Sequence, residues 1–428
     1  MKKIAFVFLC LVMSVSLMSL AWGSETNKPY KIGVPVSLTG VNADFSTSCV
    51  VGAEVARDQI NARGGILGRQ VEIFVRDSKL DPDEAVRVLK ELRLSIGVDA
   101  VLLTPEGVCQ TPQLRYAKEH SLLAFAQQGQ DMYYLNDLMY PYYFIMGPTA
   151  MQEAYGLAKY VAKWKGIKSF VTFAPDYSWG HSNVEAFTAK VKELRPGIKC
   201  LGHFYPPLEE LEFGSYITAM LGKRADLVVT WIFGTTYLSF VKQAAAYRLL
   251  DNMKVLSWVH HDEIFEGGKD VPSGLTVEAD NEFWTNRKNQ NPYYEEFEKA
   301  YKAKRGGRLP ALGGCQHYDM VMTLMQGIKK AGSFDKDKIA RAIEGSTFMT
   351  LRGPQFMRPI NHAFDTGVYF GVTKYDDKLG YCTVVDVVEI PGAEIMVSDE
   401  EYLKYRKKKN IDFKPWHENW YKSLPWAE

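Results

Sequence analysis

The chain has 428 residues, 46% of them hydrophobic and 24% charged, which is the balance of an ordinary globular protein with room for two or three domains. Its 51 Lys and Arg against 50 Asp and Glu leave a net charge of +1, so binding of nucleic acid through a general basic surface is excluded.

The first residues read as a targeting signal. Lys2 and Lys3 precede an apolar run from Ile4 to Leu20, and Ala21-Trp22-Gly23 places small residues where a signal peptidase cuts. The expectation is a leader over residues 1–23, cleaved near Gly23, and a soluble, periplasmic mature protein with no later span across a bilayer. Five cysteines follow: Cys49, Cys109, Cys200, Cys315 and Cys382. An odd count leaves at least one thiol free, and no two stand at metal-ligand spacing. Cys49 and Cys109 are either buried thiols or partners in a disulfide.

From Tyr30 to about Ala126 short apolar runs alternate with longer amphipathic ones, the pattern of a parallel sheet with crossover helices. A first strand is expected in the apolar run around Ile32, further strands at Gln70 to Arg76, Ala100 to Leu103 and Leu122 to Ala126, and helices at Ser46 to Ala62, from Asp81 onward, and at Pro112 to His120. Gly64-Gly65 ends the first helix, and Asp81-Pro82-Asp83-Glu84 starts the second with a cap, a first-turn proline and acids at the positive end of the dipole. The loops Ser37 to Ser48, Asp77 to Pro82 and Pro105 to Pro112 follow strands and are polar, so they face one crevice where a small molecule would sit.

A second series of the same make follows. Helices are expected at Ala150 to Lys165, Ser182 to Leu194, Phe213 to Leu221 and Thr236 to Arg248, and strands at Ser169 to Phe173, Cys200 to Phe204, Asp226 to Trp231 and Val255 to Val259. Beyond Gly274 come a strand (Leu275 to Ala279), helices at Pro292 to Lys304, His317 to Lys330 and Asp337 to Glu344, and a hairpin of Tyr369 to Tyr375 with Thr383 to Glu389. The end of the chain, with Arg406 to Lys409 and Trp416, Trp420 and Trp426, reads as an appended tail.

No nucleophile elbow, P-loop or two-histidine zinc helix occurs, and Gly64 to Gly68 follows a helix where a phosphate cradle would follow a strand. The reading is of a protein that is not an enzyme and carries no cofactor and no metal. In His260-His261-Asp262-Glu263, adjacent residues point to opposite faces, which argues against convergence on one ion; Asp262 or Glu263 remains a candidate partner for a ligand ammonium. Tyr177 and Trp179, and Phe233 after the strand that ends at Trp231, are either core rings or the lining of the crevice opposite Phe45.

Ile32-Gly33, Leu38-Thr39-Gly40, Gly52-Ala53, Ile60-Asn61-Ala62-x-Gly64-Gly65-Ile66-x-Gly68-Arg69, Asp77 and Asp81-Pro82-x-x-Ala85-Val86 resemble the type I periplasmic binding proteins, in the leucine/isoleucine/valine-binding branch that feeds ABC importers. The resemblance runs from about Tyr30 to about Glu389. It implies an α/β fold of two lobes, each a parallel sheet flanked by helices, joined by a three-strand hinge near Gly147-Pro148, Ser273-Gly274 and Gly353-Pro354. Lobe 1 would then hold residues 30–147 plus 275–352 and lobe 2 residues 148–274 plus 353–390, leaving 391–428 as the tail.

The resemblance further implies that a ligand carboxylate lies against Glu106, Gly107, Val108 and Cys109, with Gln128 and Gln130 on the next loop, and that Phe45, Trp179 and Phe233 close over it. The second-lobe acid that meets an amino group falls near Val259 or His260, with Asp262 two or three residues on. The positions of the disulfide found in amino-acid-binding members fall on Leu80 and Glu106. The implied ligand is a branched-chain amino acid or another small carboxylate, an aromatic carboxylate or an amide. The implied partner is an inner-membrane ABC permease or, in a sensor, a receptor, with the protein itself a monomer.

Overall fold

A computed structural model describes residues 28–40, 42–103, 105–128, 138–279, 291 and 293–409. The expected leader, Gln130 and the three tryptophans of the tail lie outside the described residues.

The first sheet has five strands, β1 (Tyr30–Val36), β2 (Val71–Asp77), β3 (Ala100–Leu102), β4 (Ala124–Ala126) and β5 (Tyr143–Ile145). They run parallel in the order β2-β1-β3-β4-β5. Helices α1 (Ala43–Ala62), α2 (Pro82–Glu91) and α3 (Gly107–Glu119) are the crossovers. Asp81 caps α2 through the Glu84 N–H at 2.7 Å.

The chain leaves this sheet through Gly147 and Pro148 into α4 (Ala150–Lys163), whose first turn Thr149 and Gln152 close as a reciprocal capping box. Then follow β6 (Ser169–Phe173), α5 (Ser178–Leu194), β7 (Lys199–Phe204), α6 (Gly214–Lys223), β8 (Leu227–Thr230), α7 (Gly234–Ala246), β9 (Lys254–Trp258), α8 (His261–Glu266) and β10 (Thr276–Ala279). After these come α9 (Tyr294–Lys304), α10 (Leu312–Ala331), α11 (Lys336–Ile343), the hairpin β11 (Thr347–Thr350) and β12 (Gly353–Phe356), the long hairpin β13 (Val368–Asp376) and β14 (Tyr381–Ile390), and α12 (Asp399–Lys409).

The second sheet is ordered β14-β13-β10-β9-β8-β6-β7. Its parallel part, β7-β6-β8-β9-β10, repeats the permutation of the first sheet, so the two lobes share one architecture. In both, the strand order reverses beside the first strand, opening a crevice at the carboxyl ends. Each sheet is covered on both faces, which is why its inner strands β3, β4 and β8 are buried throughout, while the edge strands β2, β7 and β14 keep polar residues.

Three expected boundaries are corrected. The strand after Gly274 belongs to the second lobe: β10 pairs with β9 and β13, and Val277 packs with Tyr237 and Tyr369 in that core. Gly353-Pro354 is not a crossover. Gly353, at φ +96°, closes the β11–β12 turn, and Met357 and Phe364 still pack in the first core, so the return to the second lobe comes at Asp365 to Gly367. A glycine–proline pair breaks regular structure equally well at a hinge and at a hairpin. The tail is no free appendage either. Tyr402 on α12 is buried with Ile360 and Ala363, Arg358 pairs with Asp399, and Arg406 donates to the Ile360 carbonyl.

The two lobes meet along one edge. Asp262 Oδ1 accepts the Leu312 N–H at 3.2 Å and His261 Nε2 lies 3.0 Å from the Pro310 carbonyl. Arg308 reaches both Asp44 of its own lobe, at 2.7 Å, and Glu266 of the other, at 3.1 Å.

Candidate functional site

The loops after eight strands, four from each sheet, converge on one cavity at this seam. The centre of a water-sized sphere can reach about 50 Å³ of it. A single water needs roughly 10–15 Å³ on that measure, so the space suits a small compact molecule.

From the first lobe come Asn42 and Phe45 after β1, Leu80 after β2, Pro105 to Val108 after β3, and Gln127 and Gln128 after β4. Leu80 is brought there by a turn in which Lys79 and Leu80 both adopt left-handed backbone, with φ of 55° and 56°. That conformation is costly for non-glycine residues. It is held by Asp77 Oδ1, which accepts the N–H groups of both Leu38 and Lys79.

From the second lobe come Tyr177 and Trp179, Leu208, Phe233, Trp258 and His260. The rings pack on one another. Trp179 lies 4.9 Å from Trp258, 5.7 Å from Phe233 and 6.0 Å from Tyr177 between centroids, the first two edge-on, as ring quadrupoles favour. Phe45 reaches over from the first lobe to stack on His260.

Several of these residues precede helices. Glu106, Tyr177 and Phe233 are the N-caps of α3, α5 and α7. Gly107 and Val108, in the first turn of α3, have backbone N–H groups with no acceptor among the described residues. Such groups, at the positive end of a helix dipole, hold an anionic or carbonyl oxygen. Glu106 itself is 7% exposed. Its Oε1 accepts from Ser46 Oγ at 2.7 Å and Asn42 Nδ2 at 3.1 Å. Burial raises its carboxyl above the usual range, against the pull of those donors.

Of the residues named from the sequence, the cavity gathers Phe45, Glu106, Gly107, Val108, Gln128, Tyr177, Trp179 and Phe233. Two fall elsewhere. Cys109 lies behind the helix start, buried, its thiol pushed up to about 12 chiefly by desolvation. Asp262 is spent on the Leu312 N–H across the seam, so it is not the cavity's acid. Cys49 and Cys109 are both free thiols, as are Cys200, Cys315 and Cys382. Asn42, Leu80, Gln127, Leu208, Trp258 and His260 join the lining without having been picked out for it. Leu80 was marked as a disulfide position and as part of a crevice loop, and His260 within the acidic cluster and as a place near which the second-lobe acid would fall. Among the described residues no group of three or more His, Cys, Asp or Glu is placed to hold a metal ion.

Two lobes of matched topology around a cavity at their hinged seam define the fold of substrate-binding proteins. The chain belongs to the periplasmic binding protein family, whose model matches residues 29–378. It is 24% identical over 336 residues to the leucine-, isoleucine-, valine-, threonine- and alanine-binding protein of Pseudomonas aeruginosa, covering 76% of this chain and 84% of that one. Among solved structures it resembles the amino acid ABC transporter substrate-binding protein of Pseudomonas fluorescens Pf-5, with a TM-score of 0.75, 23% identity and 85% and 96% of the two chains covered. It also resembles a solute-binding protein of Rhodopseudomonas palustris BisB5 in complex with 3,4-dihydroxybenzoic acid, at a TM-score of 0.75, 19% identity and coverage of 87% and 99%. Such likenesses in structure speak for the fold alone.

Proposed function

We propose that this protein is the periplasmic capture component of an ABC importer, and that it binds and carries a small organic acid without transforming it. The observation that carries the reading is the cavity itself, lined by both lobes at a seam the chain crosses through short segments. A ligand docks on the polar helix start of the first lobe, and the rings of the second reach it when the lobes shut. It shifts that equilibrium only by its differential affinity for the closed form; going from mostly open to mostly closed takes about 5.5 kcal/mol. The closed surface is what an inner-membrane permease would recognise, with the protein acting as a monomer exported by its leader.

The ligand is a small carboxylate with an apolar body, such as a branched-chain amino acid. An aromatic body is a second reading, favoured by the six rings Phe45, Tyr177, Trp179, Phe233, Trp258 and His260 around so small a space. Mass spectrometry of small molecules released on denaturing the purified protein tests the proposal. An organic acid recovered at near one equivalent, and rebound by the refolded protein, supports it; turnover of that molecule would overturn it.

A further inference from the structure

The first-lobe segment 308–312, between α9 and α10, is met by α8 of the second lobe at three points. Asp262 Oδ1 accepts the Leu312 N–H at 3.2 Å, and His261 Nε2 donates to the Pro310 carbonyl at 3.0 Å. One turn further along α8, Glu266 accepts from Arg308 Nε at 3.1 Å. None of these residues lines the cavity, so what they contribute does not pass through anything bound there.

The Leu312 contact supplies something that α10 lacks. The N-cap of this 20-residue helix is Ala311, which has no side-chain oxygen for an N–H of the first turn. Asp262, carried by the other lobe, takes that place at the positive end of the helix dipole. With the lobes together both residues are buried; with the lobes apart the Leu312 N–H has no acceptor within its helix. Arg308, for its part, is held ready by its own lobe. Its guanidinium is forked onto Asp44 at 2.7 and 2.8 Å, and Arg305 meets the same carboxyl at 3.1 Å. Glu266 therefore closes on a partner whose side chain is already fixed, which lowers the entropic cost of the pair.

We infer that α8 and the segment 308–312 form a clasp that draws the lobes together without a ligand, with Asp262 as the cap that α10 receives only in the closed form. The inference rests on the hinged-capture reading and adds its regulation. A fraction of the ligand-free protein is already closed, and the clasp scales the affinity for every molecule the cavity takes by one common factor. Salt weakens the Arg308–Glu266 arm, whose side chains are 41% and 31% exposed, more than the buried Asp262 arm.

The test is hydrogen exchange at single amides in protein freed of small molecules by denaturation, dialysis and refolding. The Leu312 N–H reports the clasp, and the Val321 N–H, in the middle of α10, reports the helix. Leu312 should exchange about two- to fivefold slower than an unprotected amide, within the net worth of one hydrogen bond. Asp262→Ala should abolish that protection while Val321 keeps its rate. Glu266→Gln should remove about half of it, as suits an exposed ion pair. Raising NaCl from about 20 to about 500 mM should do the same to the wild type and nothing further to Glu266→Gln. Unprotected exchange of Leu312 in the wild type, or protection that survives Asp262→Ala, overturns the inference. Leu312 as slow as Val321 in all three proteins would mean that the lobes do not part, and overturns the hinge along with the clasp. Should Asp262→Ala not fold, Glu266→Gln and the salt series decide.

Discussion

Phe45, in the first turn of α1, stacks on His260 of the other lobe with ring centroids 4.5 Å apart and planes inclined by 20°. This contact exists only with the lobes together, so its energy belongs to the closed state and contributes directly to ligand retention. Phe45 also packs on Cys49 and Leu312 within its own lobe, so the informative change is Phe45→Leu, which keeps apolar bulk and removes the stack. Ligand affinity should fall about two- to tenfold, the worth of an aromatic pair, with little change in melting temperature. Calorimetric titration beside a thermal melt checks it; a large fall in melting temperature with unchanged affinity would assign Phe45 to the core instead.

The pH dependence of binding has a sign set by Glu106. Its folded carboxyl titrates above the usual range because it is buried. A ligand carboxylate on the N–H groups of Gly107 and Val108 lies beside it and favours its neutral form, so affinity for an organic acid should fall as pH rises through that raised value. The groups facing Glu106 are Ser37, Asn42, Ser46 and the Cys49 and Cys109 thiols, both of whose pKa values are raised so that they stay protonated. His260 lies 3.2 Å from Glu263 on the opposite wall, and His260→Gln separates any contribution of that pair. Titrations from pH 4 to 8 in both backgrounds read this out.

Away from the cavity, Asp319 on α10 predicts how stability itself varies with pH. Burial pushes its carboxyl up to about 8, against the Leu351 N–H it accepts at 2.8 Å and the nearby Arg352. In the unfolded chain it ionises near 3.9, so between about pH 4 and 8 the native state holds a proton that the unfolded state has lost. The associated stability is fully present below about pH 4 and is lost as pH rises through the folded value, by up to about 1.4 kcal/mol per unit. Asp319→Asn keeps an acceptor for Leu351 and removes the titration. Its melting temperature should vary less over this range and exceed the wild type's at pH 8. Parallel curves for the two proteins would refute the assignment.

The helix α12 predicts the effect of shortening the chain. Tyr402 is buried against Ile360 and Ala363 of the first lobe and is not part of the cavity lining. Ending the chain before Asp399 should lower the melting temperature through lost apolar burial, about 1.5–3 kcal/mol for one such side chain, and leave ligand affinity within about twofold. A truncated protein as stable as the full chain would show that the docking contributes nothing.

How much of this was legible in the sequence follows from where its periodicity is expressed. The strands β1, β6 and β9 and the cap at Asp81 were readable because burial and capping leave local marks. The helix starts at Gly107, Ser178, Gly234 and Leu312 begin two to five residues before the expected ones. Those first turns face the seam instead of the core, so they carry glycines, serines and rings with no amphipathic stripe to announce them. Trp258 and His260 were not picked out because a ring at a strand end reads equally as core; Trp258 packs on Trp179 and Phe233 of its own lobe, and His260 meets the other lobe through Phe45. Residues carried over on the family pattern, such as Glu106 and Gly107, were found because they follow a strand directly. Asp262 misled because position after β9 says nothing of the Leu312 N–H that takes it up. The membership of β10 was equally invisible, since a short apolar strand fits either sheet until its hydrogen bonds are drawn.

The account stands on a hinged pair of lobes that shut on what they carry. Small-angle X-ray scattering of the protein stripped of ligand and then titrated with the molecule recovered from it measures this most directly. The radius of gyration should fall on addition and level off at one equivalent. Tight binding with an unchanged radius of gyration would contradict it.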